Sequence, residues 1–404
     1  MSLIRRALER RSTIAPGGWA ADNLNVGSNS LTGYAVDSGV AMNERKALGL
    51  PAVYACSRVI ADAVSSTPLR AVETVNDVDR PIAGSLVDSP FADVDKQIGI
   101  FQMVASLALR GNAFCLVVGR DKVMRPNKLV TLHPDDVSMR RKADGTIVYR
   151  VGRTDVDPAD IVHVPLFALP GSHVGLSPID VAAQGLGIAV ATESYAARFF
   201  GQGATTSGVI EVDGDLDDVA ARRLATAWQS AHGGYRRAHL PAVLTSGATF
   251  KPITVPNDAA QFIQSRAFQR GEIAMLFGVP PHMIGDLDKT TSWGMGIQQQ
   301  SIGFVRYTLR GYLTRIENVF TQMMPEGQFA RFDLRDLLRG DLAERYAAHQ
   351  MGRNGGWLSI NDIRRDEGMA PIDSSIGDDY LLPLNSSLNG ADVATLNAPK
   401  ETPA

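Results

Sequence analysis

A chain of 404 residues with 45% hydrophobic and 21% charged positions can bury two or three globular cores. Its formal net charge of −3 gives no global attraction to nucleic acid, so any DNA contact has to be local or weak. Cys56 and Cys115 lie in apolar runs without metal or disulfide spacing and read as reduced core residues, and no run approaches the ~18 apolar residues of a membrane span.

Residues 1–47 open with a basic stretch, MSLIRRALERRS, and continue rich in Gly, Ser and Asn. The stretch lacks the apolar centre of a secretory signal and cannot bury enough apolar surface to hold itself, so a flexible arm is expected. A helix is predicted from Pro51, with Val53, Cys56, Ile60 and Ala63 at helical spacing and Pro68 as its stop. A second covers 98–110 and ends at Gly111. Short β segments follow (AFCLVV, KLVTLH, TIVYRV, DIVHVP), with Asp144-Gly145 as a hairpin turn, which gives an α+β domain with a small antiparallel sheet.

Ser177-Pro178 opens the next helix as N-cap and first helical residue, and Gly201-Gln202-Gly203 closes it. A strand, SGVIEV, leads into the acidic cluster DGDLDD at 213–218. That cluster lacks the ligand spacing of a calcium loop and reads as a charged helix start. The helix it opens ends at Gly233-Gly234. A basic patch (Tyr235, Arg236, Arg237, His239) and two short strands, AVLTS and TFKPITV, come next. From Asn257 a helix runs to Pro280-Pro281, a polar link (GDLDKTTSWGMG) follows, and a longer helix continues to Phe320. Beyond Pro325-Glu326-Gly327 lie two helix-like pieces, the extended DDYLLPLN and a tail expected to be disordered.

Motifs of catalysis fail on inspection. GDLDKTTS has a Lys-Thr pair without the leading glycines and strand of a phosphate-binding loop, and GLSPI lacks the second glycine of a nucleophile elbow. The seven histidines are scattered without metal-ligand spacing. Among cations, Arg306 and Arg310 share a helix face with Arg315 offset, and Arg266 and Arg270 share another. Solvated faces or ion-pair partners are the plainer reading, phosphate contacts the sharper one. Lys289, the only lysine between Lys251 and Lys400, is the single projecting cation of the polar link.

With these residues in view, the chain resembles the portal (head-to-tail connector) proteins of tailed double-stranded DNA bacteriophages, of the siphovirus-like type. The matching segments include VYACSRVIADAVSSTPLRAV, LALRGNAFCLVVGR, LHPDDVSMRR, DIVHVPLF, GLSPID and ESYAARFFGQGATTSGVI, and later LSINDIRRDEGMAPID. The most specific is the stretch from DAAQFIQSRAFQRGE through GVPPHMIGDLDKTTSWGMG to LTRIE. Where many relatives carry a Ser-Asn pair after the Lys-Thr stretch, this chain has Trp293-Gly294-Met295-Gly296.

The resemblance implies an α+β, mainly α-helical portal fold with wing, stem, clip and crown, assembling into a ring, usually of twelve subunits, in the virion. Mapped onto this chain, 1–47 is a flexible arm, 48–212 the wing and 213–232 a stem helix. Residues 233–256 are the clip, 257–285 the second stem helix and 286–297 the tunnel loop. A long wing helix takes 298–332, and 333–404 form the crown and tail. Asp286, Asp288, Lys289, Thr290, Thr291 and Trp293 would face the DNA path. Tyr235, Arg236, Arg237 and His239 would dock partners.

The partners so implied are double-stranded DNA passing without sequence readout, the major capsid protein or scaffold, the large terminase and head-completion or adaptor proteins, with no membrane. Assembly would occur in the host cytoplasm. No cofactor, metal or catalytic residue is implied, the motor being a separate terminase. The alternatives are a nucleic-acid-processing enzyme of the packaging machinery, which would need a Walker motif or a two-metal carboxylate cluster, and a monomeric binding module.

Overall fold

The computed structural model describes residues 23–24, 36–75, 78–142, 146–201, 208–211, 217–232, 249–252, 259–286, 295–334 and 342–381. The chain divides into two compact units, Met1–Asp333 and Leu334–Ala404.

In the first unit, strand β1 (Asn23–Leu24) precedes helix α1 (Glu44–Leu48), whose N-cap is Asn43: its side chain accepts from the Lys46 amide at 2.9 Å. Met42 and Ala47 are buried, and Asp37 exchanges two hydrogen bonds with Gln184. The flexible arm expected over 1–47 therefore does not reach through 36–47, because two buried apolar side chains and a helix cap hold that stretch to the unit.

Helix α2 (Pro51–Ser66) begins on Pro51 and packs along α3 (Lys96–Arg110). Val53, Cys56, Ile60 and Val64 of one and Ile100, Met103, Val104 and Leu107 of the other are fully buried. Each such side chain contributes about 1.5–3 kcal/mol on burial, so this seam is a major part of the unit's core. Burial pushes the Cys56 and Cys115 thiols up to about 12, so both are inert core groups.

Between and after these helices run β2 (Leu69–Val75), β3 (Val78–Ile82), β4 (Asn112–Arg120), β5 (Pro126–Leu132), β6 (Val137–Arg141), β7 (Ile147–Val151), β8 (Thr154–Val156) and β9 (Ile161–Pro165). One small sheet was expected, and two are built from these segments: β5-β4-β9 and β1-β6-β7-β8, all neighbours antiparallel. Phe114, Val137, Met139 and Ile161 form their shared core.

Helices α4 (Pro178–Val181) and α5 (Ala183–Gly201) follow, with Ser177 capping α4 as expected. Strand β10 (Gly208–Glu211) leads to α6 (Asp218–His232), whose first turn is capped by Asp217 accepting from the Ala220 amide at 2.7 Å. Strand β11 (Thr249–Pro252) returns to pair antiparallel with β10, sealed by a Lys251–Glu211 ion pair at 2.7 Å. This pair joins two segments that the boundaries at 212 and 233 had assigned to different parts, wing and clip.

Helix α7 (Ala259–Phe277) and α8 (Met295–Gly303) flank the polar link, so α8 begins inside the stretch 286–297 expected as the loop. A π-helical segment (Phe304–Leu309) then joins α8 to α9 (Arg310–Gln322). The helix expected over 298–332 stops at Gln322. Gly327, at φ 83°, turns the chain into β12 (Gln328–Phe332), which adds to β2 with Phe332 opposite Leu69. The third sheet is thus β12-β2-β3.

The second unit holds α10 (Leu342–Asn354), α11 (Ile360–Asp366) and α12 (Ser375–Asp378). Ser359 and Asp362 form a reciprocal capping box at α11. The Ser359 backbone bond is the main reason the Asp362 carboxyl sits below its ordinary range. Asn361, buried, donates to the Ile372 carbonyl and Asp378 and accepts from the Ile372 amide, which ties α12 to α11.

Candidate functional site: the polar link and its supports

The chain enters the link through a sequence of stops. Gly278, at φ 65°, ends α7, and its carbonyl accepts from the Thr308 hydroxyl at 2.6 Å; a Cβ at Gly278 would lie 2.8 Å from that oxygen. Pro280 and Pro281 then set a 3-10 turn, Pro281–Ile284, and His282 Nδ1 lies 3.0 Å from Gln300 Oε1 on α8. Both ends of the link are therefore anchored to one support, the α7 terminus against the α8–α9 helix.

Asp286 does not project. Its amide donates back to the Pro281 carbonyl at 3.0 Å, the residue is only 4% exposed, and its Oδ2 lies 3.7 Å from Arg270 Nε. The turn at Gly285 aims the carboxylate of Asp286, expected to face the DNA path, at Arg270 of α7. Asp288, Lys289, Thr290, Thr291 and Trp293 lie outside the described residues, as do Tyr235, Arg236, Arg237 and His239.

The arginines divide by use. Arg266 pairs with Glu193 at 3.7 Å and Arg270 with Asp286, which is the plainer of the two readings. Arg315 turns inward and donates to the Pro165, Leu166 and Gly311 carbonyls. Arg306 lies 5.9 Å from the Tyr307 ring, and neither Arg306 nor Arg310 makes an ion pair among the described residues.

A polar hub that sequence reasoning did not single out lies behind α3. Asn112, fully buried, donates to the Arg110 and Gly175 carbonyls and accepts from the Gly175 amide at 2.7 Å. His163 Nε2 lies 3.1 Å from the same Asn112 oxygen, so Nε2 carries the ring proton and Nδ1 faces the Tyr149 hydroxyl at 3.4 Å. The ring also stacks on Phe114 at 4.4 Å and borders a cavity of about 450 Å³ with Tyr149, His173 and Met323. The one available signal was RGN spanning the helix stop, with Arg110 closing α3, Gly111 as its cap and Asn112 just beyond.

Burial, with His173 as a lesser cause, lowers the His163 pKa from 6.5 to about 4. A group held neutral in the fold takes up protons on unfolding between those values, so its contribution is whole above pH 6.5 and declines as pH falls toward 4. Wild type should lose about 2 kcal/mol between pH 7.5 and 5 from this residue alone. His163→Gln, which keeps a donor for Asn112, should lose correspondingly less in urea midpoints taken at both pH values. Equal losses in the two proteins would refute the assignment.

Two clusters have metal-like composition, Glu44–His133–Asp135 and His349–Asp366–Glu367. In each an arginine already engages the carboxylates: Arg110 bonds Asp135 and lies 3.8 Å from Glu44, and Arg345 donates to Glu367 at 2.7 Å with its Nε 2.6 Å from the other carboxylate oxygen. Both are ion-pair networks, the first fastening α1 to the end of α3, the second fastening α10 to the end of α11.

The fold is α+β and mainly helical, with long helices framing a polar link. Residues 51–368 match the family described as phage portal protein, and the chain belongs to that family. A probable portal protein of Streptomyces phage phiC31 is 36% identical over 372 residues, covering 86% of this chain and 80% of the relative. The portal protein of Enterobacteria phage HK97 is 32% identical over 364 residues, covering 86% and 84%. Among solved structures, a chain in the neck of a native gene transfer agent particle, computed with C12 symmetry, shares the fold. Its TM-score is 0.56 at 23% identity, over 92% of this chain and all of that one.

Proposed function

We propose that this chain is the subunit of a portal ring set at one capsid vertex, through which double-stranded DNA is packaged and later ejected. Membership of the portal family over 51–368 carries this reading, and the C12 symmetry of the related neck makes twelve copies the expected number. In this reading 48–212 serves as wing, 213–232 and 257–285 as stem, 233–256 as clip, 286–297 as tunnel loop, 298–332 as the long wing helix and 333–404 as crown and tail. The chain acts as conduit, and force comes from a separate terminase. Robust ATP hydrolysis by the purified protein, abolished by a point substitution in it, would contradict that division of labour.

A conduit must let DNA slide. The net charge of −3 supplies no tight phosphate grip, and Lys289, repeated around a ring, would supply one layer of transient contacts. Arg236 and Arg237, with Tyr235 and His239, are assigned to docking the terminase and then the head-completion proteins. The test is complementation of a phage deprived of its own portal. Wild-type chain should restore DNA-filled heads, a link shortened within 287–294 should leave heads unfilled, and Lys289→Ala should lower the packaged amount. Normal packaging by both variants would remove the link from the mechanism. A purified wild-type chain that stays monomeric by mass would remove the ring itself.

A further inference from the structure

Two exposed surfaces of the first unit carry opposite charges that make no ion pair among the described residues, each beside large apolar side chains. On α7, Phe268, Glu272 and Met275 recur at the spacing of one helical face. Phe268 is 61% and Met275 77% exposed, while Ile273, Ala274 and Phe277 on the opposite side are buried. Glu272 is exposed and makes no ion pair among the described residues. Single exposed apolar residues need no explanation, but two on one face bracketing an unpartnered acid are the composition of an interface.

The second surface is the π segment. Tyr307 is 79% exposed, the most exposed large hydrophobic residue described, and Arg306 and Arg310 bracket it. A π turn inside a long helix is uncommon and shifts the side chains that follow it around the axis. The anchor of this segment, Thr308 on the Gly278 carbonyl, keeps the surface rigid and placed at the foot of α7. An aromatic ring flanked by arginines is the composition of a binding hot spot.

We infer that these surfaces are the two halves of the contact between successive copies of the chain, the α7 stripe of one receiving the Arg306–Tyr307–Arg310 surface of the next. The inference rests on the ring reading above. A closed ring requires two different, complementary patches on every subunit, whereas a two-fold dimer through the α7 stripe would set Glu272 against its own copy. Here one patch is apolar with an acid and the other aromatic with two bases, so each satisfies the other and neither satisfies itself. Between copies, Glu272 gains a guanidinium partner and Tyr307 a Phe268–Met275 surface to cover.

The experiment uses the full chain, with assembly read by native mass spectrometry and light scattering and folding by circular dichroism. Glu272→Arg should lower the ring fraction at least ten-fold at a concentration where wild type is fully assembled. Arg306→Glu with Arg310→Glu should do the same, with helix content unchanged in both. Combining all three substitutions should restore rings, since the charges are exchanged. Rings from Glu272→Arg at the wild-type concentration would overturn the pairing and leave the ring standing, with the stripe then serving another partner. Loss in the separate variants without recovery in the combination would overturn it as well. A wild-type chain that never assembles would instead overturn the ring reading on which this one rests.

Discussion

Asn112→Ala should lower the stability of the first unit by about 3–5 kcal/mol, the largest effect expected from any single polar side chain here. The side chain makes four hydrogen bonds in a place closed to water, so its removal strands the Gly175 amide, the Gly175 and Arg110 carbonyls and the His163 ring proton together. Each buried group left unpaired costs about 1–3 kcal/mol, and small relaxations recover part of the sum. Gly111→Ala should match it by a different route. Gly111 sits at φ 68°, and a Cβ there would fall 2.0 Å from the Leu176 carbonyl oxygen, a backbone atom that cannot step aside. Urea midpoints of the full chain measure both. A loss under 1 kcal/mol in either variant would mean that the loop around Gly175 can leave the end of α3 at little cost, contrary to the hub described above.

The punctuation of the fold was legible because it is local. Pro51 at a first helical turn, Gly111 at a helix stop and Ser177 before Pro178 act through their own backbone freedom or nearest amides, and no distant residue is needed to read them. What required the folded chain was everything that joins distant segments. The QFARF of β12 follows a helix directly, and only its partner β2, set far back in the chain, makes it a strand. The π segment has apolar residues at ordinary helical spacing, and only the folded chain shows its wider turn and the Thr308 hydroxyl on the Gly278 carbonyl. Residues 36–47 carry few apolar side chains, yet Met42 and Ala47 are enough once α5 supplies Gln184 as a partner. The family resemblance carried the function, and it rested on ordered segments rather than on any one site.

Asp286 was the clearest displacement between residue type and place, and it sets the second large effect. In a run of Gly, Asp, Lys and Thr an aspartate reads as solvated, but this one is buried, its Oδ2 has no hydrogen bond, and Arg270 is its single compensating charge among the described residues. Arg270 is half exposed and loses little on being truncated; the carboxylate it leaves behind loses its only counter-charge in the interior. Arg270→Ala should therefore cost about 2–3 kcal/mol, well above the 0–1 kcal/mol of an ordinary surface pair. Asp286→Asn removes the charge that needs compensating and should be nearly neutral. The double variant should then be more stable than Arg270→Ala alone, a sign reversal that only a coupled pair produces. Protease sensitivity of the link gives an independent reading, since the Arg270 contact holds Asp286, the last described residue before Lys289, against α7. Arg270→Ala should be cut faster there, and the double variant at close to the wild-type rate. Additive losses in the cycle, or unchanged cleavage, would make the pair incidental and leave the turn at Gly285 as the sole determinant of where the link begins.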